Sequence, residues 1–169
     1  MSHSLQGFIA NLVVACTALP GLLHAEEARE LKIIASAQDS PRAASIGPVR
    51  LEAPGSVVIR SAEELAALSS KAKSAKDAAV QKEMESELAR LLEVDGIDWS
   101  KHMALAVRGE AGTKADRVKF DSLRIEDRTL TVAWRVKPRP PHAGPGTPIA
   151  VILVERFDGE VKFVPSRGN

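Results

Sequence analysis

The chain has 169 residues, with 23 basic against 22 acidic side chains, and a net charge of +1 that gives no long-range pull on nucleic acid or a membrane. With no Tyr, two Trp and four Phe it is short of the aromatic platforms on which bases and sugars stack. Its single cysteine, Cys16, allows no intrachain disulfide and no Cys-ligated metal in the region that follows, and the length suits one domain with a tail.

The first 25 residues contain no Lys, Arg, Asp or Glu. Residues 8–23 are apolar, are broken by Pro20-Gly21, and end in Leu23-His24-Ala25 ahead of Glu26-Glu27. That pattern predicts a secretory signal peptide over residues 1–25 and an exported protein, periplasmic or secreted. Val13-Val14-Ala15-Cys16 also resembles a bacterial lipobox, and a lipid on Cys16 is the alternative, turning a released protein into an anchored one. The apolar run continues past Cys16 to Ala25, which favours cleavage there, and Pro20 argues against an uncleaved span. Residues 26–55 read as a flexible linker: Leu31-Lys-Ile-Ile34 has the pattern of a short strand, but residues 36–54 are rich in Ala, Ser, Pro and Gly.

The domain expected over residues 56–165 opens with the strand Ser56-Val-Val-Ile-Arg60. Ser61-Ala-Glu-Glu64 follows as a capping box, in which Ser61 and Glu64 satisfy each other's free backbone N–H groups at the head of a first helix. A second helix is predicted over 77–93, because Val80, Met84, Leu88, Leu91 and Leu92 fall on one face. Lys82, Glu83, Glu85, Glu87 and Arg90 form its solvated face. Met103, Leu105 and Val107 alternate in the next strand.

Residues 116–137 then read as an antiparallel hairpin with its tip at Glu126-Asp127-Arg128. In the second arm Leu130, Val132, Trp134 and Val136 alternate with small, polar or basic residues, the period of a half-buried strand that places Trp134 in the core. In the first arm the apolar phase of Val118 and Phe120 slips by one before Leu123 and Ile125, which calls for a β-bulge near Asp121-Ser122. After a Pro/Gly-rich loop over 138–148, residues 149–154 are apolar on both faces, as in a central strand covered on both sides. Asp158-Gly159 marks a turn into a last strand, Val161-Lys-Phe-Val164, expected to pair back as a hairpin. The order of one strand, two helices and about five strands predicts an α+β fold, a mainly antiparallel sheet, open barrel or sandwich with helices on one side.

Catalytic signatures are scarce. No Gly-x-Ser-x-Gly elbow, phosphate-cradling loop or His-Glu-x-x-His occurs. Asp98, Ser100 and His102 alternate closely, and a small hydrolase or ligand-binding protein using them is the alternative reading. Side chains alternating on one extended segment cannot meet head to tail as nucleophile, base and orienter, so Asp98 or Ser100 reads better as the cap of a turn. Trp99 reads as a plug at the helix–strand junction. No cofactor is implied, and the lone His102 and His142 lack ligand spacing to other metal donors. The candidate partner-binding surface is the 138–148 loop: Arg135, Lys137 and Arg139 give it a basic edge, and Pro138-Arg139-Pro140-Pro141 is a polyproline-II signal. His142, Gly144 and Gly146 complete the candidate set, with a stiff crossover as the structural alternative.

Three segments carry a family resemblance: Val57-Val-Ile-Arg-Ser-Ala-Glu-Glu-Leu65, Gly96-Ile-Asp-Trp-Ser-Lys-His-Met-Ala-Leu-Ala-Val107, and the strand from Leu130 to Val136 with its Pro-rich turn. With Pro148-Ile-Ala-Val151 and Gly159-Glu-Val-Lys-Phe163, residues 56–164 resemble the PrcB-like domain of protease-complex-stabilising proteins. The family's Thr-Gly-Gly-Tyr-like loop is replaced here by Gly109-Glu-Ala-Gly-Thr-Lys-Ala-Asp116, so that loop's role is not carried over. The resemblance implies an exported bacterial accessory domain, not an enzyme, that stabilises or docks on an envelope protease or another exported protein.

Overall fold

The computed structural model describes residues 28–38, 49, 54–68, 72–109, 116–138 and 148–166. In chain order they form β1 (Arg29–Glu30), β2 (Ile33–Ala37), β3 (Gly55–Ile59), α1 (Ala62–Ala67), a 3-10 turn (Ala72–Ser74), α2 (Ala78–Leu92), β4 (His102–Arg108), β5 (Asp116–Glu126), β6 (Thr129–Pro138), β7 (Ile149–Glu155) and β8 (Glu160–Pro165). Two four-stranded sheets result, ordered β1-β5-β6-β8 and β2-β7-β4-β3. All pairings are antiparallel except β6 with β8. The protein is α+β: the two sheets stack, and the helices cover the outer face of the second.

The alternation within β4 and β7 builds two cores. Met103, Leu105 and Val107 of β4 join Ala150, Ile152 and Val154 of β7 between the sheets, with Val118, Phe120, Leu130 and Val132 from the first sheet. On the other face Ala104, Ala106, Val151 and Leu153 meet Leu65 of α1 and Met84, Leu88 and Leu92 of α2. Both central strands are therefore covered on both sides, as the unbroken apolar run in β7 predicts. Burying Met84, Leu88 and Leu92 contributes about 2 kcal/mol per side chain, which holds α2 on the sheet.

Local signals set the element ends. Asp77 caps α2 by accepting from Ala79 N–H at 2.8 Å, and Glu93, in the left-handed region at φ 58°, terminates it. Ser61 Oγ accepts from Glu64 N–H at 3.1 Å at the head of α1. The Glu64 carboxylate accepts from Arg60 N–H at 2.6 Å, one residue before the partner the capping box predicts. The tip of the β5–β6 hairpin is shorter than the sequence suggests. Glu126 pairs with Thr129, so the turn is Asp127-Arg128 alone, at φ 45° and 64°. Positive φ at both positions matches the right-handed twist of the arms.

The expected bulge is present: Phe120 faces Trp134 and Ser122 faces Ala133, leaving Asp121 as the extra residue. The Phe120 N–H beside it donates to Gln38 Oε1 at 2.8 Å, so a side chain at the end of β2 satisfies a group next to the break.

Three expectations change. The expected final hairpin is absent: both edges of β7 are already taken, by β2 and β4, so the chain crosses at residues 156–159 to the first sheet. There β8 lies parallel to β6, with Val161 and Phe163 packed on the inter-sheet core. Residues 28–38, read as linker, supply one strand to each sheet, with Leu31 buried between the sheets and Leu31 N–H donating to Leu123 O at 3.0 Å. Trp134 is half-buried at the margin of that core, its Nε1 buried without a hydrogen-bond partner.

Candidate functional site

The backbone ties two loop roots together at one end of the sandwich. Gly109 N–H, just past β4, donates to Pro148 O, just before β7, at 2.9 Å. A Cβ at Gly109 would stand 2.9 Å from Pro148 Cγ, so the close approach requires glycine there. Next to this contact Arg108 pairs with Ile149, and Asp116 pairs with Pro138. Residues 110–115 and 139–147 thus leave and rejoin the described chain at the same end.

The outer face of the first sheet at this end is basic. Once the two-residue turn and the bulge fix the register, Arg117 lies opposite Lys137 and Lys119 opposite Arg135. Paired positions in a sheet stand about 5 Å apart, and neighbours on one face of a strand about 6.8 Å. Like charges directly opposite each other weaken a sheet, so the facing of Lys119 and Arg135 costs the fold stability. Asp121, the bulge residue, offsets part of that cost. Its Oδ1 lies 2.8 Å from Arg135 Nε, although the N–H is not directed along the contact and makes no hydrogen bond. Lys119 and Lys137 are exposed and make no ion pair among the described residues. Ser122, Thr131 and Ala133 continue this face, whereas every described Phe and Trp packs against a core. Beside the bulge a shallow groove of about 350 Å³ is lined by Glu30, Leu31, Lys32, Ile33 and Asp121 to Leu123.

Of the residues expected to bind a partner, Arg135 and Lys137 lie on this face. Arg139, Pro140, Pro141, His142, Gly144 and Gly146 fall outside the described residues. Sequence reasoning missed Arg117 and Lys119. Their signal is the repetition of Arg-Val-Lys at 117–119 and 135–137, which gains meaning only when the register sets one pair against the other.

Asp98, Ser100 and His102 form a turn. Asp98 Oδ1 accepts from Ser100 N–H at 3.0 Å and from Ser100 Oγ at 2.5 Å, and Lys101 Nζ lies 2.8 Å from Oδ2. The hydrogen bond from Lys101, followed by that from Ser100, holds the Asp98 carboxyl well below the usual carboxylate range. The same contact raises the Lys101 amine. Lys101 N–H and His102 N–H both donate to Asp98 O, at 3.0 and 2.8 Å, closing the turn. Ser100 Oγ therefore faces a carboxylate, and no hydrogen bond among the described residues joins it to the His102 ring, whose Nδ1 is buried and unpartnered. Trp99 occupies the helix–strand junction as expected, and its Nε1 donates to Glu85 Oε2 at 2.7 Å, which removes Glu85 from the purely solvated face of α2.

Among the described residues no group of three His, Cys, Asp or Glu could hold a metal ion, and no helix is long and apolar enough to cross a membrane. No family profile, curated protein or solved structure matches the chain.

Proposed function

We propose that this chain is a non-catalytic, exported accessory domain of the PrcB-like kind, which docks on another exported protein through its loop-bearing end. An envelope protease is the partner class to which the resemblance points. The observation that supports docking most strongly is the meeting of both loop roots, through Gly109 and Pro148, beside four cations placed in opposed like-charge pairs. A long loop on a rigid sheet is a common platform for binding, and charges that weaken the free fold find their compensation in a complex. The turn at Asp98 fits the non-catalytic part of the reading, because the Ser100 hydroxyl and the Asp98 carboxylate satisfy each other.

The test is crosslinked co-purification of the full-length tagged protein from its native cell envelope, read by mass spectrometry. One reproducible protein partner is expected, and removal of residues 143–147 should abolish its capture while thermal unfolding stays unchanged. Loss of capture together with a collapsed fold would make the loop structural and sink the docking role. The N-terminal peptide of the same sample should begin at Glu26; a lipid on Cys16 would replace release by anchoring.

A further inference from the structure

We infer that a second copy of this chain pairs with β8 edge to edge, joining the two copies' first sheets into one continuous sheet. The inference goes beyond the docking reading and does not depend on it. β8 ends its sheet, and no strand among the described residues lies on its far side. Glu160 N–H donates to Arg128 O at 3.1 Å and Ser166 N–H to Trp134 O at 2.6 Å, so the even-numbered residues of 160–166 turn their backbone groups to β6. Backbone groups alternate in direction along a parallel ladder, which turns those of Val161, Phe163 and Pro165 outward.

The strand is its own complement. Laid antiparallel on itself with Phe163 on the two-fold axis, residues 160–166 overlap end to end. Phe163 N–H then donates to the partner's Phe163 O, and Val161 N–H to the partner's Pro165 O, each bond made twice. Pro165 has no N–H to give, and the group it faces, the partner's Val161 carbonyl, lies at the rim within reach of water. Val161 and Phe163 are half-buried at the margin of the inter-sheet core, and the pairing continues that core into the second copy. On the outer face Lys162 comes opposite the partner's Val164. Val164 is 45% exposed in the single chain and gains cover from the lysine stem, while the ammonium stays with Glu160 at 3.2 Å.

Neighbouring registers fit worse. With Lys162 on the axis, two ammonium groups stand directly opposed. With Val161 on the axis, the ladder runs into Gly159, whose carbonyl already accepts from Arg60 Nη2 at 3.3 Å. Lys and Pro are residues that discourage edge pairing in general, and with Phe163 on the axis neither Lys162 nor Pro165 opposes it. Two-fold pairing also uses up the edge, so assembly closes at two copies.

The test is sedimentation velocity of the full chain over a range of concentrations. A contact along one strand edge is smaller than a standard interface, so a reversible dimer with a Kd on the order of 10–100 μM is expected. Amide exchange gives a second readout. Val161 and Phe163 N–H should become protected as the dimer forms, while Lys162 N–H, turned to β6, is protected throughout. Val161→Pro removes an outward N–H and none that serves β6, and should leave a monomer. Val164→Glu should tighten the dimer about fivefold, by facing the partner's Lys162 on both sides of the axis, and Val164→Lys should loosen it by as much. Both charges sit on the exposed outer face, so both variants should unfold cooperatively in dilute solution, which keeps the test decisive even where Val161→Pro impairs folding.

A monomer at every concentration, a dimer indifferent to Val161→Pro, or assembly beyond two copies overturns the inference. The opposite order, tighter with Val164→Lys and looser with Val164→Glu, would set Val164 against a carboxylate, Asp158 or Glu160, and overturn this pairing.

Discussion

At the end of the sandwich that carries the Asp127-Arg128 turn, polar groups answer one another within the chain. Arg156 Nη1 donates to Trp99 O at 2.7 Å and to Arg60 O at 3.4 Å, and its Nε meets Asp158 Oδ1 at 2.9 Å. Its N–H donates to Lys101 O at 2.7 Å, and Arg60 Nη2 reaches Gly159 O at 3.3 Å. One arginine after β7 thus joins the entries to α1, β4 and β8. At the opposite end four basic side chains face one another across β5 and β6, and Asp121 pairs with one of them, Arg135, while Lys119 and Lys137 make no ion pair among the described residues. The first arrangement raises the stability of the isolated fold, and the second lowers it. That asymmetry separates a clasp from the proposed docking face better than residue type does, since arginines stand at both ends.

The sharpest way to break the comparison is at Gly159, where a Cβ would collide with the Arg128 carbonyl oxygen and the Phe157 ring. Arg128 O also accepts from Glu160 N–H at 3.1 Å, so the backbone cannot move away without losing the start of the β6–β8 pairing. Gly159→Ala should cost about 3 kcal/mol, seen as a lower urea midpoint with an unchanged slope. A smaller loss is expected for Arg156→Met, which keeps the length of the side chain but leaves the Trp99 and Arg60 carbonyls to water. Because this end is partly exposed, about 1–2 kcal/mol should go, measured in the same titration. Neither change should alter partner capture by the loop-bearing end.

The hairpin, its bulge, both helices and the doubly covered β7 are legible in the sequence because each is a local pattern. The break in alternation at Asp121-Ser122 lies within one strand, and Met84, Leu88 and Leu92 recur within one helix. The partner of β8 is not legible, since it depends on β2 and β4 having already filled both edges of β7. Leu31 to Ile34 shows the pattern of a short strand, but the full extent of the two edge strands is not legible, because Arg29, Glu30, Ile33 and Ile34 lie exposed at sheet edges, where burial imposes little pattern. For the candidate site, Arg135 and Lys137 are visible as a basic edge. Arg117 and Lys119 join them only through a register that a single bulged residue decides.

The turn at Asp98 offers a pH-dependent version of the contrast. Its carboxyl, held down by Lys101 and Ser100, has a folded pKa below the unfolded value of about 3.9. A carboxylate of this kind stabilises the fold fully above its unfolded pKa and loses that contribution as pH falls through the lower folded value. The difference in thermal midpoint between the parent and Asp98→Asn should therefore stay level from neutrality to about pH 5 and narrow below about pH 4. A difference that widens on acidification would contradict the pairing with Lys101.

The smallest effect expected has the opposite sign, and for that reason it tests the comparison most directly. At the clasp, changing a charged residue removes satisfied contacts and can only lower stability. At the basic face, Lys119→Glu replaces a repulsive cross-strand pair with an attractive one against Arg135. The change is worth about 0.5 kcal/mol, reduced by exposure and by Asp121, which already competes for the same guanidinium. Parent and variant compared by thermal unfolding at low and high salt should differ by a degree or two in favour of the variant, and the gap should close as salt screens the array. A variant less stable than the parent at low salt would mean that Lys119 is satisfied within the fold, and the loop-bearing end would then be a second clasp.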